Sequence, residues 1–179
     1  LGFDGVGYLD DDYQALLALS MLFGGGMSSR LFQEVREKRG LVYSVYSFHS
    51  AFLDGGLFGI YAGTGTQEIR ELVPVVCDEL TKLTKGISEE ELERARAQMR
   101  ASVLMGRESS SNRAEHLAQQ LLIYGRPLPV EEILEKIATV SVEDVERVAA
   151  NLLKSAPTVT AIGPLAHLES AERIAARLG

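Results

Sequence analysis

An arginine and a tyrosine, seven residues apart, are the side chains of this chain with the clearest potential for chemistry. Arg36 lies in a short polar segment that predicts a helix, and Tyr43 follows the turn residue Gly40 at the start of a predicted strand. Both side chains can donate hydrogen bonds. Taken alone, however, they also fit a purely structural interpretation, in which Arg36 is a solvated residue among other charges and Tyr43 is an ordinary strand aromatic.

Metal ligation finds no support in the sequence. His49, His116 and His167 stand far apart, and none has a second ligand four residues away on a helix. The inverted zinc motif His-x-x-Glu-His is absent. Because ligand spacing is the main sequence signal of a zinc site, the sequence predicts that this chain binds no metal.

Nucleophile and phosphate motifs are also weak. The pattern G-x-S-x-G does not occur, and Cys77 lies in an apolar run that predicts a small core residue. The glycines 24–26 precede a helix and could cradle an anion. They lack the Lys-Ser/Thr pair of a P-loop, so turn formation is the favoured interpretation, as it is for residues 63–66.

Composition excludes several classes of protein. The 179 residues suit a single domain, 1–179. A net charge of −7 argues against a nucleic-acid binder and against attachment to anionic membranes by basic residues. No apolar run approaches the ~20 residues of a membrane span. One cysteine rules out an internal disulfide and leaves the compartment open, and the start at Leu1 suggests a fragment.

The order of predicted elements indicates an α+β fold. Hairpin-linked strands are incompatible with a regular βαβ winding, so we expect an antiparallel or mixed sheet of about four to five strands, with a layer of helices on one side. Strands are predicted at residues 1–8, 41–52, 56–63 and 157–163. Helices are predicted at residues 12–23, 28–38, 67–85, 130–138, 141–152 and 168–178. Two more helices are predicted between residues 85 and 130, one that begins at residue 88 and one that ends at residue 124.

Capping signals support three of these helices. Asp11 and Gln14 are spaced for a capping box at the first, and Ser88 and Glu91 for another. Ser141 is a predicted N-cap further on.

Longer stretches of the chain, taken together, resemble the C-terminal half of the pitrilysin/insulinase-type zinc metallopeptidases, which include the mitochondrial processing peptidases. The resemblance is carried, in chain order, by Met27-Ser28-Ser29-Arg30-Leu31-Phe32, Val35-Arg36-Glu37, Gly40-Leu41, Tyr43-Ser44-Val45, Asp54-Gly55-Gly56-Leu57-Phe58, Glu89 to Ala95, Asn112-Arg113-Ala114-Glu115, Tyr124-Gly125-Arg126-Pro127-Leu128, Ile137-Ala138, Val140, Val145 and the strand before Gly163-Pro164. It covers nearly the full chain.

The resemblance implies a processing-peptidase-like half of a two-half enzyme that closes over a peptide. In this family the first half carries the zinc and the glutamate base, and the second half contributes an arginine and a tyrosine, which map onto Arg36 and Tyr43. These two donors would stabilise substrate carbonyl oxygens or the oxyanion. Zinc is therefore expected in a missing half or a partner subunit. The chain alone should be inactive and should associate with itself or with a zinc-bearing half.

The chain departs from the family pattern at one loop, and two alternative functions stay open. The long glycine-rich loop of the processing peptidase's non-zinc subunit is reduced here to residues 24–26, which argues against presequence recognition of that kind. A non-catalytic scaffold subunit of the same fold is the first alternative. A generic α+β interaction domain with an accidental resemblance is the second.

Overall fold

A β-hairpin at the centre of the fold follows the turn at Gly40. A computed structural model describes residues 1–179. Strands β2 (Val42–Ala51) and β3 (Gly56–Thr64) pair antiparallel around the predicted Asp54-Gly55 turn, and β1 (Gly2–Gly5) pairs with the other edge of β3. The resulting sheet has three antiparallel strands in the order β1-β3-β2.

Helices account for the rest of the regular structure. They are α1 (Tyr13–Gly24), a π-helix (Phe32–Glu37), α2 (Ile69–Lys82), α3 (Glu89–Gly106), α4 (Ser110–Tyr124), α5 (Val130–Thr139), α6 (Val142–Leu152) and α7 (Ala171–Leu178). The α+β class predicted from the sequence is confirmed. None of the helices combines the length and apolar character needed to cross a bilayer.

The predicted count of four to five strands is wrong. Residues 157–163 make a single bridge, in which Gly2 and Thr158 exchange two backbone hydrogen bonds of 2.8 Å. Residues 159–163 form no further bridge or strand.

One face of the sheet packs on the helices and the other stays open, as the alternation of side chains requires. Phe3, Ser47, Phe58 and Ile60 are buried against the helices. The open face carries Asp4, Ser44, Tyr46, Phe48, Leu57 and Tyr61, which alternate with the buried set in the pairing register. The predicted single layer of helices is therefore confirmed.

Helix α1 approaches β2 closely enough to exclude larger side chains. The Ser47 hydroxyl donates to the Ser20 carbonyl at 2.7 Å, and a Cβ at Gly24 would stand 2.3 Å from the Ser47 nitrogen. Small residues at these positions thus allow the contact that anchors β2 to the core.

The capping predictions had mixed outcomes. Ser88 with Glu91, and Ser141 with Asp144, form complete capping boxes at α3 and α6. The box at α1 is wrong, because α1 has no side-chain cap and the Oε1 atom of Gln14 is buried without a partner.

Candidate functional site

Arg36 lies on a helix with unusual hydrogen bonding. Its segment is a π-helix, closed by the Lys38 amide, which donates to the Gln33 carbonyl five residues earlier at 3.0 Å. Such π-turns are rare and occur frequently at functional sites. Leu31 and Val35 are fully buried and fix the other side of this helix to the core. The backbone beneath Arg36 is thus anchored while its side chain is exposed.

The charges around Arg36 pair among themselves and leave its guanidinium unpaired. Glu34 accepts hydrogen bonds from Lys38 and Arg39, and these two bonds hold the pKa of Glu34 below its usual range. Arg36 is in none of the ion pairs; its guanidinium carbon lies 4.9 Å from the centre of the Phe32 ring, within the range of a cation–π contact. Its N–H donors are therefore available to a ligand.

A tight turn connects this helix to the strand that carries Tyr43. Gly40 has a φ of +63°, a conformation that disfavours side chains with a Cβ. The Gly40 amide donates to the Arg36 carbonyl and the Leu41 amide donates to the Val35 carbonyl, both at 3.0 Å. These two bonds fix the start of β2 relative to Arg36.

Tyr43 occupies a β-bulge. Val42 pairs with Thr64 and Ser44 pairs with Gly63, so Tyr43 is the extra residue of β2. A bulge of this kind reorients a side chain, and Tyr43 is 87% exposed with no hydrogen bond from its hydroxyl. The Thr64 hydroxyl donates to the Leu41 carbonyl at 2.6 Å and secures the strand end.

The two predicted site residues are thus both exposed donors on an anchored backbone. No hydrogen bond joins Arg36 to Tyr43, and neither side chain has another polar partner in the chain. What the structure brings close are the segments that carry them, through the Gly40 turn.

Sequence reasoning missed the role of Arg30, which holds the site helix to α3. Its guanidinium donates to both carboxylate oxygens of Glu91, at 2.7 and 2.9 Å, and to the Gly86 carbonyl at 2.9 Å. Together with bonds from Ser88, this contact lowers the pKa of Glu91 to about 2. The capping box at Glu91 was visible in the sequence, but a partner 61 residues away was not.

The histidines do not form a metal site. His49 Nε2 donates to the Val6 carbonyl at 2.9 Å, and His167 Nδ1 lies 2.9 Å from a nitrogen of Arg70. No group of three or more His, Cys, Asp or Glu side chains comes together. The donors present in this chain therefore do not fit a zinc ion. Cys77, predicted to be a core residue, is fully buried, and burial raises its pKa to about 11.

Residues 1–99 match the family model described as the peptidase M16 inactive domain. The chain belongs to the peptidase M16 family, the insulinase/pitrilysin-type peptidases, and the resemblance seen in the sequence is confirmed.

Curated relatives carry the name zinc protease. The chain is 40% identical to an uncharacterized zinc protease of Streptomyces coelicolor over 92% of this chain and 36% of the relative. It is 34% identical to the uncharacterized zinc protease YmxG of Bacillus subtilis over 95% of this chain and 42% of the relative. The chain therefore spans roughly two fifths of the length of these relatives.

Solved structures support the fold. A protease from Helicobacter pylori is 26% identical, with a TM-score of 0.70 over 84% of this chain and 36% of that one. A chain of the complex III2 structure from Candida albicans reaches a TM-score of 0.89 over 99% of this chain and 45% of that one. At 21% identity, the second comparison bears on the fold alone.

Proposed function

We propose that this chain is the non-zinc half of a zinc metalloendopeptidase and that it holds peptide substrates through Arg36 and Tyr43. The observation that carries the proposal is that both side chains are exposed donors without a partner in the chain, on a backbone anchored by buried residues. Membership of the M16 family and the names of the relatives support it.

The proposed role rests on hydrogen bonds to oxygen atoms of the substrate. The guanidinium of Arg36 and the hydroxyl of Tyr43 would donate to peptide carbonyl oxygens, or to the oxygen on which negative charge develops during hydrolysis. Donors of this kind gain strength when water is excluded from the site. In a chamber closed by a second half, they would act most strongly in the transition state.

A second half is part of the proposal. Zinc, and the base that activates water, would lie in a zinc-bearing half on the same or a partner chain, because no side-chain set here fits the metal. The open sheet face supports such a partner: Tyr46 stacks on Tyr61 with ring centres 5.0 Å apart, and Tyr46, Phe48 and Tyr61 are all exposed. We expect the isolated chain to associate through this face, and a monomer in light scattering at high concentration would contradict that.

The test is peptidase activity of the assembled protein carrying Tyr43→Phe or Arg36→Gln. Tyr43→Phe removes the hydroxyl donor and keeps the ring, and Arg36→Gln replaces the charged guanidinium by a shorter neutral amide, so we expect turnover to fall by about 10²–10³. Arg100→Gln is the matched control, because Arg100 is an exposed arginine on α3 that takes part in no ion pair.

The kinetic pattern separates a transition-state role from simple loss of binding. A donor used only in the transition state lowers kcat and kcat/KM together. Near-wild-type kcat/KM for both variants would overturn the assignment of the site. Absence of peptidase activity in the wild-type assembly would instead favour the scaffold alternative.

A further inference from the structure

A large cavity lies on the helical side of the molecule and shares no residue with the Arg36–Tyr43 site. Its volume is about 830 Å³, and its walls come from α1, α3, α4, α5 and the segments beside them. This volume is typical of sites for small molecules and short peptides. Several wall residues, including Arg107 and Arg113, are exposed, so the cavity opens to solvent beside them.

The cavity exists because α4 stands away from the core. None of the residues of α4 is buried, although Leu117 and Leu121 recur along it at helical spacing. Polar bonds hold its C-terminal half instead: Gln119 donates to the Tyr8 hydroxyl at 2.7 Å, and the Tyr124 hydroxyl donates to the Tyr8 carbonyl at 3.3 Å. Of the apolar residues of α4, Leu117 and Ile123 line the cavity.

The charge of the lining is opposite to that of the whole chain. The chain has 25 acidic residues and a net charge of −7, yet no Asp or Glu lines the cavity. The ionisable wall residues other than tyrosines are Arg107, Arg113 and His116, and the two arginines take part in no ion pair. A cavity of this character favours an anionic group, and unpaired guanidinium groups are suited to a carboxylate.

The polar groups of the wall distinguish a peptide from a fatty acid. Gln14 lines this cavity, and its Oε1 atom is buried and accepts no hydrogen bond. A buried acceptor without a donor is costly. A ligand with N–H groups would satisfy it once the Gln14 side chain turns its oxygen towards the cavity, whereas an ionised alkyl carboxylate has no donor to offer. The rings of Tyr8 and Tyr13, with centres 5.5 Å apart and planes inclined at 46°, add an aromatic wall suited to apolar side chains.

We infer that the cavity binds a short apolar peptide that ends in a free carboxylate, with the carboxylate at Arg107 and Arg113 and a backbone N–H at Gln14. This site is separate from the proposed substrate contacts at Arg36 and Tyr43 and does not depend on them.

The experiment measures the binding of a dansylated pentapeptide, Leu-Ala-Phe-Leu-Phe, to the full chain by fluorescence anisotropy. We expect the free-acid form to bind about tenfold more tightly than its C-terminal amide, the effect of one charge-assisted contact. The double change Arg107→Gln and Arg113→Gln should remove this preference. Arg100→Gln, on the same helix as the cavity wall but outside it, should preserve it.

Two further variants test the position of the peptide. Gln14→Met should weaken the acid and the amide forms alike, by about threefold to tenfold, because it removes one neutral hydrogen bond. Gly106→Phe should abolish binding, since Gly106 lines the cavity and has nothing within 4 Å of the place where a Cβ would stand. Its thermal melt will show that the variant is folded.

Three outcomes would overturn the inference. They are the absence of peptide binding, equal binding of acid and amide, and displacement of the peptide by an equal concentration of dodecanoate together with no effect of Gln14→Met. Tyr43→Phe should leave this binding unchanged, so failure of the cavity site and failure of the proposed peptidase site can be told apart.

Discussion

Replacing Arg30 by glutamine should destabilise the chain in a way that depends on pH. The Arg30 and Glu91 side chains are only 14% and 22% exposed. The substitution removes two charge-assisted bonds to Glu91 and one bond to the Gly86 carbonyl. Arg30→Gln therefore tests whether this ion pair, rather than packing, holds the site helix to α3.

The pKa of Glu91 sets the magnitude. Its fall from 4.5 to about 2 in the folded state corresponds to about 3 kcal/mol. Arg30 is the largest cause, but the backbone and hydroxyl of Ser88 contribute too, and partial solvent exposure weakens the pair. We expect Arg30→Gln to lower the free energy of unfolding by about 2 kcal/mol at pH 7, and the melting temperature by about 4–8 °C.

The sign of the pH dependence follows from the direction of the shift. Because the folded-state pKa of Glu91 lies below that of the unfolded chain, the stabilisation is complete above pH 4.5 and is lost as the pH falls towards 2. The difference between wild type and Arg30→Gln should therefore be constant from pH 7 to about pH 5 and shrink below that.

Urea unfolding followed by circular dichroism at pH 7, 5, 4 and 3 provides the measurement. Arg94→Gln is the control, because Arg94 and Glu90 form an exposed pair on α3, for which we expect less than about 0.5 kcal/mol. An Arg30→Gln difference that is as large at pH 3 as at pH 7 would refute the reasoning, since lost packing does not depend on the ionisation of Glu91.

Further substitutions test the backbone geometry and the cysteine. Gly24→Ala should cost about 2–3 kcal/mol in urea unfolding, because its Cβ would stand 2.3 Å from the backbone nitrogen of Ser47, whereas Gly106→Ala in open space should gain about 0.5–1 kcal/mol. Gly40→Ala should cost about 1 kcal/mol through its φ of +63° alone, and a neutral result would argue against the turn. Cys77 should resist a disulfide reagent at pH 8 until urea unfolds the chain, because burial raises its pKa to about 11; rapid native-state labelling would contradict its buried position.

The sequence predicted those elements whose signals are local. The helix caps at Ser88 and Ser141 and the hairpin at Asp54-Gly55 depend on residues within a few positions of one another, and all three are confirmed. The failed capping box at Gln14 had the same local signal, but the side chain lies between helices with its Oε1 atom buried, where tertiary packing decides its environment.

The predicted number of strands was wrong because strand pairing depends on contacts between distant parts of the chain. Residues 157–163 have the composition of a strand, but a strand needs partner backbone, and only Thr158 meets any, at Gly2. The sequence pattern of a segment does not show how far its partner extends.

By itself, the sequence determined the class of fold, the family, and the identity of Arg36 and Tyr43 as site candidates, because each depends on residue types in a fixed order along the chain. Only the tertiary structure decided that Tyr43 lies in a bulge, that Arg30 reaches Glu91, and that α4 leaves a cavity without acidic residues. Those features depend on contacts between segments that are distant in sequence, and such contacts form only when the core packs.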